Sequence, residues 1–133
     1  MTATVTAIAA AETCSTAHHS PPSDVPVLDM ATAQRMAHWL GFLADPNRLR
    51  ILSILAVKPH CVGDLVQLLQ MSQSAVSHQL RALRVMGLVR GQRQGRHVIY
   101  ELHDDHVLTI YETVLAHLRE LDGCHRERQE LLS

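Results

Sequence analysis

The chain has 133 residues, of which 47% are apolar, and it carries 12 Lys plus Arg against 13 Asp plus Glu. That length fits one domain, or one domain with a tail, around a modest core of Leu, Val, Ile, Ala and Met, because aromatic residues are few. Taken whole, a net charge of −1 argues against a nucleic-acid binder; three widely spaced cysteines exclude a disulfide scaffold and point to the reducing cytoplasm; and no run approaches 18 apolar residues, which excludes a membrane span. The first eleven residues lack a basic n-region and a long apolar stretch, so no signal peptide is expected.

Residues 1–29 are expected to form a mobile N-terminal arm. Ala, Thr, Ser and Pro dominate it, and Ser20-Pro21-Pro22-Ser23 is poor helix material. Met36, Trp39, Leu40 and Leu43 then share a face and predict a first helix over 31–43. Asp45-Pro46, a cap followed by proline at the first helical position, starts a second helix. It carries Leu49, Leu52, Ile54 and Leu55 and stops near Lys58-Pro59. A short third helix is expected over 61–69, then a tight turn at Gln70-Met71-Ser72 with Ser72 as the next cap. The fourth helix, 73–86, turns Val76, Leu80, Leu83 and Met86 inward, and Gly87 suits a left-handed cap at its end. Two short helices joined by such a turn make a helix-turn-helix.

Leu88-Val89 and His97-Val98-Ile99-Tyr100 alternate like strands on either side of 91–95, which predicts a β-hairpin, the wing. A last helix starts at the cap Asp104 and is expected to end at Leu121, leaving 123–133 as a C-terminal tail. Its apolar positions Val107, Tyr111, Val114, Leu118 and Leu121 follow a four-three spacing, and Leu108, Ile110 and Leu115 add a second strip. One strip can face the core and the other a partner. The expected fold is therefore mainly α with a small β-hairpin: a winged helix-turn-helix domain over 30–122, in a homodimer.

The charge is not spread evenly. Met71 to Tyr100 holds five arginines and no acid, while the remainder carries seven basic residues against 13 acids, so +5 stands against −6. A basic patch on a neutral protein is an electrostatic footprint. With Val76 and Leu80 inward, Gln73, Ser74, Ser77, His78 and Arg81 face out as donors, acceptors and a cation suited to base edges and phosphates. A solvated helix face explains those five equally well on their own; the acid-free wing with Arg90, Arg93 and Arg96 favours double-stranded DNA.

The last helix also reads Asp104-x-His106, ten residues, His117-x-x-Glu120. Two oxygen and two nitrogen ligands make a complete zinc set in type and number. His106 and His117 are eleven residues apart and share a face, yet about 16 Å separates them along the axis, against metal–ligand bonds of about 2 Å. A second helix lying antiparallel brings Asp104 and His106 of one chain to His117 and Glu120 of the other, and two-fold symmetry repeats the site. The competing explanation, acids and histidines on a wet surface, is the usual fate of such residues.

At this point the chain resembles the SmtB/ArsR metal-sensing repressors, most closely the zinc-responsive SmtB branch. The resemblance rests on Leu43-Ala44-Asp45-Pro46-Asn47-Arg48-Leu49-Arg50, Cys61-Val62-Gly63-Asp64-Leu65, Ser74-Ala75-Val76-Ser77-His78-Gln79-Leu80 and Gly95-Arg96-His97-Val98-Ile99-Tyr100. It implies a homodimer that binds operator DNA with inverted-repeat half-sites in the absence of metal and leaves it when metal binds. It also implies a second metal site, Cys14 and His18 of the arm with Cys61 and Asp64. Cys61 and Asp64 are three apart and share a helix face; against that, Cys61 also reads as a small buried hydrophobe and Cys14 as an incidental thiol. His19 is a spare candidate; His38, His60 and His103 read as surface or capping residues, and Cys124-His125 has no matching partner. In zinc-responsive relatives a metal-bound histidine is linked to the end of the recognition helix partly through a side chain at the position of Gly87. Glycine offers none, so the route here must use backbone or another residue.

The expected regulatory ligand is zinc. Cys14 and Cys61 favour softer ions, cadmium or lead, and cobalt is a further candidate. A zinc hydrolase is the rival from another class, but four protein ligands leave no open position for water. A purely structural zinc dimer leaves the basic segment unexplained.

Overall fold

The computed structural model describes residues 24–132. The elements follow in the order α1 (Met30–Leu43), α2 (Pro46–Leu55), β1 (His60–Cys61), α3 (Val62–Leu69), α4 (Gln73–Val85), β2 (Val89–Gln94), β3 (His97–Leu102) and α5 (Asp105–Leu131). Each long helix begins where a short acceptor side chain can satisfy its first free N–H groups. Asp29 accepts from Thr32 N at 2.9 Å and from Thr32 Oγ1 at 2.6 Å. Asp45 accepts from Arg48 N at 3.0 Å, with Pro46 at the first helical position. Ser72 accepts from Ala75 N, and Asp104 from Val107 N, both at 3.1 Å.

The turn between α3 and α4 is made by Gln70 in the left-handed conformation, at φ 54°. The end of α4 is closed by Gly87, also left-handed at φ 72°. Leu88 N donates to Leu83 O and Gly87 N to Arg84 O, the paired bonds of a Schellman cap. The glycine cap expected from the sequence is therefore present.

The fully buried core joins three helices and the root of the wing: Ile51 and Leu52 of α2, Leu65 of α3, Val76, Leu80 and Leu83 of α4, then Leu88 and Val89. Val107 is the one residue that α5 buries, and α1 buries none; its Trp39, Phe42 and Leu43 are half-buried against the core. Met36, Leu40, Leu49, Val114, Leu118 and Leu121 remain 40–54% exposed. Of these, Leu40, Leu49, Val114 and Leu118 line an apolar groove of about 420 Å³ between α1, α2 and α5. A surface this apolar, at positions with core-type periodicity, is unfinished in one chain.

The structure revises three expectations. The sheet has three strands in the order β1-β3-β2, because His60 and Cys61 pair with Tyr100 and Ile99; two residues are too few for an alternation to show. The wing turns at Gly95-Arg96, not across 91–95. Gly95 takes φ 63° at the first turn position, as two-residue hairpin loops require. Gly91 lies inside β2, where an added Cβ would sit 3.1 Å from the Tyr100 ring and from Val98 Cγ1. Finally, α5 does not end at Leu121 but runs to Leu131, so most of the expected tail is helix. Gly123 costs such a helix only about 1 kcal/mol, and no proline interrupts 122–131.

Candidate functional site

Helix α4 presents Gln73, Ser74, His78 and Arg81 as exposed side chains, and Ser77 is half-buried. The inward positions are those the sequence indicated, so this outer face follows from the burial of Val76, Leu80 and Leu83. Ser74 Oγ lies 3.2 Å from the capping Ser72 Oγ, which fixes the start of the face. On the wing, Arg93 and Arg96 are exposed. Arg90 stands apart from them, because its Nε donates to Glu101 Oε1 at 2.7 Å across the β2–β3 ladder. The acid that compensates it lies one residue beyond the acid-free segment, out of reach of a count along the chain.

At the head of α5, Asp104 uses one carboxylate oxygen as the cap to Val107 N and turns the other toward His106, with Oδ2 3.6 Å from Nδ1. Two ligands of one tetrahedral zinc, bound at about 2.0 Å, lie about 3.3 Å apart. The two donor atoms lie 3.6 Å apart, close to that spacing. The bond from Val107 N, and secondarily the neighbouring His106, hold the Asp104 carboxyl below its usual value of 3.8, so it is ionised at neutral pH. The His106 side chain is 93% exposed, and His117 and Glu120 are exposed further along the same helix. Among the described residues, no three His, Cys, Asp or Glu side chains of one chain converge on a point. Along α5 the helical rise places the two halves of the set about 16 Å apart.

Of the second ligand set, Cys14 and His18 lie outside the described residues, as does His19. Cys61 is half-buried at the N-cap of α3, and Asp64 is exposed in the first turn of that helix. Cys61 also pairs with Ile99 through β1, so the sheet fixes its backbone. Cys124 and His125 are exposed and lie within α5.

Three residues to which the sequence assigned no polar contact link α1 to α4. Trp39 Nε1 donates to the Met86 carbonyl at 3.2 Å. Arg48 stacks over the Phe42 ring at 3.8 Å, donates from Nη1 to the Phe42 carbonyl at 2.7 Å, and donates from Nε to Gln79 Oε1 at 3.0 Å. Trp39 is the single tryptophan of the chain, and on a core-facing strip that alone could have flagged its indole N–H as needing an acceptor. The Arg48–Gln79 pair spans 31 residues and carries no local signal.

Comparison with known proteins agrees with this geometry. The profile described as bacterial regulatory protein, arsR family, matches residues 45–90, from the cap of α2 into the wing. The transcriptional repressor SmtB homolog of Synechocystis sp. is 49% identical over 96 residues, covering 72% of this chain and 73% of the relative. The HTH-type transcriptional regulator NmtR of Mycobacterium tuberculosis is 46% identical over 94 residues, covering 71% and 78%. The solution structure of apo-NmtR aligns at a TM-score of 0.64 with 40% identity, over 80% of this chain and 89% of that one. A homodimeric winged helix-turn-helix DNA-binding domain from Mycobacterium bovis aligns at 0.64 with 28% identity, over 68% and 83%. The chain belongs to the arsR family of bacterial regulatory proteins: it is a winged helix-turn-helix transcriptional regulator and not an enzyme.

Proposed function

We propose that the chain is a metal-responsive repressor that binds operator DNA as a homodimer without metal and is released by zinc. The observation that carries this reading is the Asp104–His106 pair at the head of α5, with donor atoms 3.6 Å apart, and His117 and Glu120 exposed three turns along the same helix. Asp104 and His106 of one chain with His117 and Glu120 of the second complete a four-ligand set, and the apolar strips of α1 and α5 supply the surface on which two copies meet. Zinc held by these four residues would supply a cross-link between chains. The protein's own residues do the rest. Dimer geometry sets the separation of the two α4 helices, and inverted-repeat half-sites are read when both enter major grooves about one helical turn apart. A ligand that favours another relative orientation of the subunits therefore lowers DNA affinity. Gln73, Ser74, Ser77, His78 and Arg81 contact the groove; Arg93 and Arg96, with Arg90 in a lesser part, contact phosphates.

Cys14, His18, Cys61 and Asp64 form the second, ancillary metal site. The alternative reading makes that site the sensor, with cadmium or lead as the ion. Its support is the soft sulfur of Cys61, whose backbone the sheet fixes, with Asp64 one turn on. Among the described residues no helix is long and apolar enough to cross a membrane; the repressor acts in the cytoplasm. The test uses a duplex selected from a random pool by the metal-free protein. Zinc at one equivalent per chain should release it, and cadmium or lead should do so less effectively. Retention of the duplex in saturating zinc would sink the reading.

A further inference from the structure

We infer that Trp39 is a positioning residue that fixes the C-terminal end of the recognition helix α4 to the dimer-forming helix α1. The inference rests on the functional reading above for what α4 and α1 do, and on the structure alone for the link between them. The last carbonyls of a helix have no partner within it. At the end of α4 the Schellman bonds satisfy Leu83 and Arg84, and Met86 N donates back to Ala82. The Met86 carbonyl is left beyond them, and the Trp39 indole N–H takes it at 3.2 Å, across 47 residues of sequence. Gly87, the next residue, is left-handed and offers no side chain of its own for the purpose.

Helix α1 has apolar surface to offer a second copy, since it buries no residue in one chain while Met36 and Leu40 are about half exposed. Trp39 stands between these faces: it borders the groove shared with α5 and a second cavity that Met86 and Ile110 also line. A second tether strengthens the argument. Arg48 holds the Phe42 carbonyl, at the end of α1, to Gln79, in the middle of α4. The C-terminal half of α4 is thus linked to α1 directly at Met86 and, through Arg48 of α2, at Gln79, so that a turn of one helix bears on the other. A change of subunit orientation is thereby passed to α4 through α1, by way of backbone and an indole rather than a side chain at position 87.

The decisive variant is Trp39→Phe, which keeps an aromatic ring in the pocket and removes the donor. Two measurements are made on the full-length chain. In the first, amide hydrogen exchange of the metal-free protein is followed at Met86, Gly87 and Leu88. One hydrogen bond of ordinary strength corresponds to about 3- to 10-fold faster exchange there, with Ile51 and Leu52 in α2 unchanged. In the second, the affinity for the selected duplex is measured with and without zinc. The zinc-induced loss of affinity should shrink about 3- to 10-fold, while zinc stoichiometry stays at the parental value. Trp39→Leu, which removes ring and donor together, should repeat both effects with some loss of stability. Exchange at 86–88 within two-fold of the parent in Trp39→Phe would overturn the anchoring role. Unchanged exchange elsewhere with an undiminished zinc response would overturn the transmission. A parent protein that ignores zinc defeats the functional reading and the transmission together, while the exchange result still decides the anchor.

Discussion

Leu118 offers a direct measure of the surface that one chain leaves unfinished. It lies on α5 in the four-three strip, borders the groove between α1, α2 and α5, and is 51% exposed. Full burial of a leucine side chain is worth about 1.5–3 kcal/mol, so the half still exposed can contribute roughly 0.7–1.5 kcal/mol on meeting a partner. Two-fold symmetry makes the same contact twice, which doubles the figure to about 1.5–3 kcal/mol per dimer. Leu118→Ala should therefore raise the dimer dissociation constant about 10- to 100-fold. The buried core contains no part of Leu118, so the far-ultraviolet circular dichroism should not change. Its melting temperature should fall only at low protein concentration, as expected when dissociation and not core packing is the weak point. Sedimentation equilibrium across a concentration series gives the constant. A dimer as tight as the parent's, or a monomeric parent, would refute the assignment of α1 and α5 to the interface.

Arg93→Ala and Arg96→Ala should each weaken binding to every duplex and flatten the salt dependence by about one unit per lost phosphate contact, read from affinities at several salt concentrations; Arg90→Ala should do less, because Glu101 already engages it. Cys14→Ser combined with Cys61→Ser should abolish thiolate-to-metal absorption with cobalt or cadmium while leaving zinc release of DNA intact; loss of that release would exchange the ranking of the two sites. The Asp29 carboxyl is held below its usual value of 3.8, first by the Thr32 hydroxyl and then by the Thr32 amide. A lowered pKa means that the cap contributes fully above the unfolded-state value and is lost as pH falls through the lower folded one. Asp29→Asn, which caps without titrating, should remove that part of the acid-induced loss of ellipticity that sets in below the ordinary value of 3.8.

Much of this arrangement was legible because it is written in local chemistry. Asp45-Pro46, Ser72, Gly87 and Asp104 mark helix ends by their own hydrogen-bonding or conformational properties, and the structure places helix ends at all four. Val76, Leu80 and Leu83 fixed the inward face of α4, and the outward face follows by geometry. What stayed hidden depends on distance along the chain. The β1 strand is two residues long and exists through its pairing with Tyr100 and Ile99. Arg90 looked uncompensated because Glu101 is reached across a ladder, not along a strand. The extension of α5 past Leu121 was missed because its later turns lose the apolar strip, although their residues favour helix. For the proposed last-helix site, the sequence offered ligand types and spacing, and the structure adds that Asp104 and His106 lie 3.6 Å apart. The arm half of the second site lies outside the described residues.

The central claim is that the α5 ligand set is the switch, and His117→Gln tests it most directly. Glutamine keeps helix propensity and removes a nitrogen ligand, and His117 is exposed and packs in no core, so fold, dimer and metal-free DNA affinity should equal the parent's. The measurement is the affinity of this variant for the selected duplex, with and without saturating zinc. The account predicts a variant that holds its DNA under both conditions, a permanent repressor. A zinc-induced fall in affinity as large as the parent's would contradict it and remove Asp104, His106, His117 and Glu120 from the sensing role.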